Sequence, residues 1–222
     1  TQALELAEAQ NPVYPLVSTH GTFGGTTVDQ AARVLRGGGH LYPSNGSSRG
    51  FRSDMDETFA IYQAAVADLP AESRPLFGFG YGTDTNGLYS QSGPRGDFEP
   101  EDAVVYPYTL YTGEVFDQLP EFAAVDPVVF HQPSSVDADG AVQRTWHEDI
   151  DGNAHHGMLS GFVEEIRLEG TPEQMRHLFN SAEVYLQTWE RTEAAKAGIA
   201  ANGLQVPGGV LRPAPPVGEI AP

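Results

Sequence analysis

The stretch Leu76 to Leu88, LFGFGYGTDTNGL, constrains this chain more than any other. An apolar run punctuated by glycine reads as a strand from Leu76 to Gly82 that ends at one carboxylate, Asp84. A side chain just past a strand end is where a barrel enzyme presents a metal ligand or a base. Glycine on both sides allows close backbone approach, so Asp84 can project as a ligand or proton acceptor. Asp-Thr-Asn-Gly is equally a good turn sequence, in which Asp84 only bonds its own backbone. Upstream, Val13 to Gly25 repeats the arrangement with an imidazole: apolar and β-branched residues lead into His20 and a glycine-rich turn. A lone histidine of this kind also fits a half-buried side chain bonded to a carbonyl.

Between and beyond these segments the chain alternates loosely between strand and helix. Thr27 to Arg36 carries Val28, Ala31, Ala32 and Leu35 at helical spacing and is closed by Gly37, Gly38 and Gly39. A short apolar patch from His40 to Pro43 and a polar loop through Arg52 precede a helix from Met55 to Asp68. Ala103 to Tyr111 is β-prone, and Val128 to Trp146, with a turn at Asp137 to Gly140, predicts a hairpin decorating the main fold. Two helices follow, Leu159 to Leu168 and Thr171 to Ala197, the latter opened by Thr171, Pro172 and Glu173 as cap, first-turn proline and favourable charge. The alternation favours a parallel sheet and an α/β class. Residues 1–198 read as one unit and 199–222 as a proline- and glycine-rich tail.

Charge removes whole classes of partner. With 12 basic and 30 acidic residues the net charge is −18, which repels nucleic acid and anionic membrane surfaces. No apolar run reaches the roughly 18 residues that a membrane span needs. The chain has no cysteine, which excludes disulfides and thiolate chemistry and leaves secreted and cytoplasmic locations both compatible.

Other polar residues supply candidates with plain alternatives. His40, emerging from the next strand after three glycines, suits a metal site or is only a loop residue. His147, His155 and His156 offer imidazole, but adjacent histidines point in different directions and seldom share an ion, so one of them, His156, is placed facing substrate. A calcium loop at Asp149, Asp151 and Asn153 fails, because Ala154 replaces the central glycine and Ser160 the closing glutamate. Arg95, in the long loop after Asp84, either clamps a substrate carboxylate or pairs with acids such as Asp97. Glu164, Glu165 and Glu169 read as a solvated helix face, and Tyr185, Leu186 and Trp189 as packing.

Three segments carry a family resemblance. VYPLVSTHG, GFGYGTDTNGL with the following GPR, and GNAHHGMLSGFVEEIRLEG with SAEVYLQTWE resemble the fifth-strand, eighth-strand and closing-helix segments of the amidohydrolase superfamily, in its membrane-dipeptidase-like branch. The resemblance implies the second half of a (β/α)8 TIM-type barrel and a metal-dependent hydrolase acting on an amide, peptide or related bond. It makes His20 a metal ligand and Asp84 the strand-eight carboxylate that binds metal or takes the proton of the attacking water. His40 stands near the sixth-strand ligand without the surrounding motif. The implied cofactor is a divalent metal, zinc foremost, with iron and manganese as alternatives. Half a barrel leaves open sheet edges, so the resemblance implies a proteolytically processed precursor whose amino-terminal polypeptide stays associated as a heterodimer. Two other functions stand beside this one: a non-catalytic barrel that binds a ligand or partner, and a self-processed acylase with Thr1 as nucleophile.

Overall fold

The structure is a computed structural model, and it describes residues 2–18, 25–42, 46–81, 92–206 and 209–211. Helix α1 (Gln2–Glu8) leads to strand β1 (Val17–Ser18), helix α2 (Val28–Arg36) and strand β2 (His40–Leu41). Helix α2 forms where its caps dictate. The Thr27 side chain accepts from the Gln30 N–H and Gln30 reaches back to the Thr27 N–H, closing a capping box, while Asp29 and Arg33 with Arg36 sit at the ends their charges favour. Its inward stripe is Ala31, Val34 and Leu35. The helix returns the chain so that β1 and β2 pair in parallel, Val17 opposite His40 and Ser18 opposite Leu41. A Cβ on Gly39 would fall 1.7 Å from the Leu16 carbonyl oxygen, so only glycine lets the two strands approach.

Helix α3 (Ser48–Ala65) starts a turn and more before the expected Met55. Ser47 caps it, accepting from the Gly50 N–H at 3.2 Å. Its early residues look like a polar loop only because Arg49 and Arg52 find their partner, Glu169, far along the chain. Residues 76–81 are extended but no strand is formed there, which corrects that expectation. The Phe79 N–H donates to the His177 carbonyl and the Gly80 N–H to that of Leu41, so neighbours on either side share the segment rather than one continuous ladder.

Alternation along 76–81 divides two layers. Phe77, Phe79 and Tyr81 face helices α3, α6 (Leu159–Glu169) and α7 (Pro172–Phe179), with Phe51 edge-on to Phe79, Tyr81 and Phe162 at 5.4 to 5.9 Å between ring centroids. Gly78 and Gly80 face the other way, where a Cβ would meet Asn180 and Val184 at 2.9 Å or the Tyr42 ring at 2.3 Å. Helix α8 (Ser181–Asn202) therefore covers the second face.

The rest of the chain decorates this sandwich. Strand β3 (Tyr108–Leu110) pairs antiparallel with β4 (Val128–Phe130), and the short helix α4 (Glu114–Asp117) lies between them. Strands β5 (Ser134–Val136) and β6 (Val142–Thr145) make the expected hairpin, whose turn is closed by the Asp137 N–H on the Ala141 carbonyl. The one-turn helix α5 (Glu148–Asp151) precedes α6. The single helix expected over Thr171 to Ala197 is two, α7 and α8, meeting at Asn180, whose side-chain amide donates to the Phe77 carbonyl at 3.0 Å. Strands β7 (Leu204–Val206) and β8 (Gly209–Leu211) pair antiparallel, giving the start of the expected tail regular structure. Among the described residues β1 and β2 are the sole parallel pair, the strands form four two-stranded sheets, and no closed barrel appears. No described helix is long and apolar enough to cross a membrane.

Candidate functional site

Three segments of the sequence meet side by side at β2. The Tyr42 N–H donates to the Ser18 carbonyl at 3.2 Å and the Gly80 N–H to the Leu41 carbonyl at 3.3 Å. Ser18, Tyr42 and Gly80 with Tyr81 thus form a row, and directly after this row come residues 19–24, 43–45 and 82–91. His20 and Asp84 belong to those stretches and lie outside the described residues.

The base of these segments is held by a small polar net. The Gly93 N–H donates to the Gly46 carbonyl at 3.1 Å, and the Asn153 N–H to the Ser92 carbonyl at 2.9 Å. The Asn153 side-chain amide donates to the Tyr81 hydroxyl at 2.9 Å. Gly152, at φ 61°, packs against the backbone of Ser92 to Pro94, where a Cβ would fall 2.5 Å away. No side chain other than hydrogen fits that contact.

His40 is buried on the α8 face of β2. Its Nδ1 lies 3.2 Å from the Thr188 hydroxyl and its Nε2 3.1 Å from the Tyr42 hydroxyl. Thr188 is also within reach of the Gly38 and Val184 carbonyls. With its proton on a carbonyl, its oxygen accepts from Nδ1–H, which leaves Nε2 to accept from Tyr42. Burial lowers the His40 pKa, so the ring stays neutral at neutral pH. As arranged, neither nitrogen is free for a cation.

Arg95 pairs with acids, one of its two readings from sequence, though with distant ones. Its guanidinium is fully enclosed, 2.9 Å from Asp149, 3.3 Å from Glu169 and 3.5 Å from Glu165, and it also donates to the Asp102 carbonyl. It meets neither Asp97 nor open space for a substrate carboxylate. Glu164 and Glu165, 2% and 1% exposed, are buried rather than solvated, Glu164 paired with Arg167. Glu169 closes the same group: burial pushes its pKa up, and the hydrogen bond and charge of Arg49, then Arg52 and Arg95, draw it lower by more. Asp149 and Asp151 serve as partners of Arg95 and Arg144.

Beside this network stands Glu148, 1% exposed. Burial first, then the neighbouring Glu165 and Asp149, push it up to about 9. Burial also lifts Glu165, to about 7, against a hydrogen bond from Ser48. A Cβ on Gly161 would lie 2.5 Å from Glu148 Oε2, which has no hydrogen-bond partner among the described residues. A protonated, neutral carboxyl suits such a place.

His156 is exposed and opens a single 3-10 turn, His156–Met158, capped by His155 through the Gly157 N–H. His147 caps α5 in the same way. Both therefore act on backbone ends, which explains two of the three histidines without an ion. Among the described residues no group of three histidine, aspartate or glutamate side chains is arranged to hold a metal. Sequence reading missed Tyr42 and Tyr81 and weighed Asn153 only for calcium. The alternation of phenylalanine, glycine and tyrosine was a signal for Tyr81, whereas nothing local marks Asn153 or Glu148. No family model matches the chain, and comparisons with curated proteins and with solved structures find no match.

Proposed function

We propose that this chain is part of a metal-dependent hydrolase that activates water against an amide, peptide or related bond. The observation that supports the reading is the row of Ser18, Tyr42 and Gly80, because it sets Ser18 and Gly80, which precede the stretches holding His20 and Asp84 in sequence, on either side of the chain at β2. An imidazole and a carboxylate are a donor set that suits zinc, iron or manganese. His20 and Asp84 would hold the cation, with further ligands supplied by a polypeptide of the same precursor. His40 joins them only if its Nε2 exchanges the Tyr42 hydroxyl for the metal. A bound divalent cation supplies Lewis acidity toward the scissile carbonyl. Asp84 takes the proton of the attacking water and returns it to the leaving amine. Tyr81 and Asn153 hold the base of the segment that carries Asp84, and His156, exposed, is free to meet substrate.

Elemental analysis tests this directly. The native preparation, with the precursor polypeptide that stays associated, is expected to retain stoichiometric metal after incubation with zinc and removal of the excess, and His20→Ala and Asp84→Asn are expected to lose it while keeping the circular dichroism of the parent. Metal absent from the parent, or retained in both variants, refutes the assignment.

A further inference from the structure

We propose that the cavity between β2, the Gly80–Tyr81 step and the first turn of α8 is a binding subsite for an aromatic or branched apolar side chain. Its volume is about 360 Å³ and its walls are His40, Tyr42, Gly80, Tyr81, Tyr185 and Leu186, completed by two small residues of α8. Ligand pockets begin at roughly 300 Å³, so this one takes a group on the scale of a single amino-acid derivative.

Among the described residues the lining contains no lysine, arginine, aspartate or glutamate. Its rings are set at angles to one another, His40 to Tyr42 at 5.2 Å and to Tyr185 at 6.2 Å between centroids. Flat, tilted, uncharged walls favour an aromatic or branched apolar guest and penalise a charged one, which would lose its hydration without a partner. Gly80 leaves room for the Tyr42 wall, since any Cβ there would fall 2.3 Å from that ring. Of the lining residues Tyr185 and Leu186 are 56% and 48% exposed, two large side chains turned to solvent. In sequence Tyr42 and Tyr81 immediately precede residues 43–45 and 82–91, the latter holding Asp84. That the guest is the side chain of a hydrolase substrate rests on the reading above; the selectivity of the walls does not.

The test is calorimetric titration of metal-free protein with N-acetyl-L-phenylalaninamide and with N-acetylglycinamide. The phenylalanine compound is expected to bind roughly tenfold or more tightly. Ala182→Trp, which fills the cavity, is expected to abolish that preference. Tyr185→Ala, at an exposed position that leaves the fold alone, is expected to weaken the phenylalanine compound roughly threefold or more. Equal affinities in the parent, or a preference untouched by Tyr185→Ala, overturn the proposal. Because binding is read without metal, a chain that takes up no zinc yet prefers the phenylalanine compound loses the hydrolase assignment and keeps the subsite.

Discussion

Glu148 shows how much one side chain can differ from its ordinary chemistry once buried. Its pKa is raised to about 9, so the folded chain holds a proton that the unfolded chain releases above the usual carboxylate range. A group raised in the fold contributes stability fully below its unfolded pKa and loses it as pH rises toward the folded value. Between pH 7 and 9 that loss is roughly 3 kcal/mol, at 1.36 kcal/mol per pH unit. Glu165, raised to about 7, has finished its own decline by then. His177, lowered by burial to about 4, acts oppositely and only in acid, costing stability as pH falls below about 6.5. Glu148→Gln keeps the shape and removes the titration, so its melting temperature is expected to fall far less between pH 7 and 9 than that of the parent. Parallel melting curves across that range would show that Glu148 is not the titrating group.

At the scale of elements, close backbone approach decides where strands and helices meet. Gly39 is the clearest instance, with the Leu16 carbonyl where its Cβ would be. Gly39→Ala must separate β1 from β2 or shift both, and overpacking of this kind costs about 3 kcal/mol. The urea midpoint is expected to drop accordingly with the slope unchanged; a variant as stable as the parent would mean the two strands can part freely. Helix ends were the legible elements. Thr171 caps α7 as expected, and Thr27 with Gln30 and Thr171 with Gln174 close capping boxes. The early start of α3 was not legible, because Arg49 and Arg52 look solvated until Glu169 is placed beside them. Helix α8 misled in the opposite sense. Its inward residues are Val184, Thr188 and Ala195, so Tyr185, Leu186 and Trp189 fall on the exposed side although they are the more apolar set.

Across the whole molecule, Arg95 is the knot. It joins the segment after residue 91 to α5 through Asp149 and to α6 through Glu165 and Glu169, and Asp149 in turn accepts from the Val104 N–H at 2.8 Å. Removing one partner of a buried ionic group strands the others, at a cost of about 3–5 kcal/mol. Arg95→Met is expected to lose that much in urea unfolding. Arg49→Met, at a side chain 40% exposed, is expected to lose about 1 kcal/mol or less. Equal effects would show that the enclosed guanidinium has no special place.

What the sequence determined by itself is local: turn chemistry at Asp137 to Gly140, capping boxes, the inward stripe of α2, and the alternation that sends Phe77 and Phe79 one way and Gly78 and Gly80 the other. Each depends on residues within a few positions, where spacing alone sets which groups can touch. Only the tertiary structure decided which charges were buried. Whether Glu165 and Glu169 face water or Arg95 depends on residues distant in the chain, and the free energy of a carboxylate follows the dielectric and partners around it rather than its neighbours in sequence.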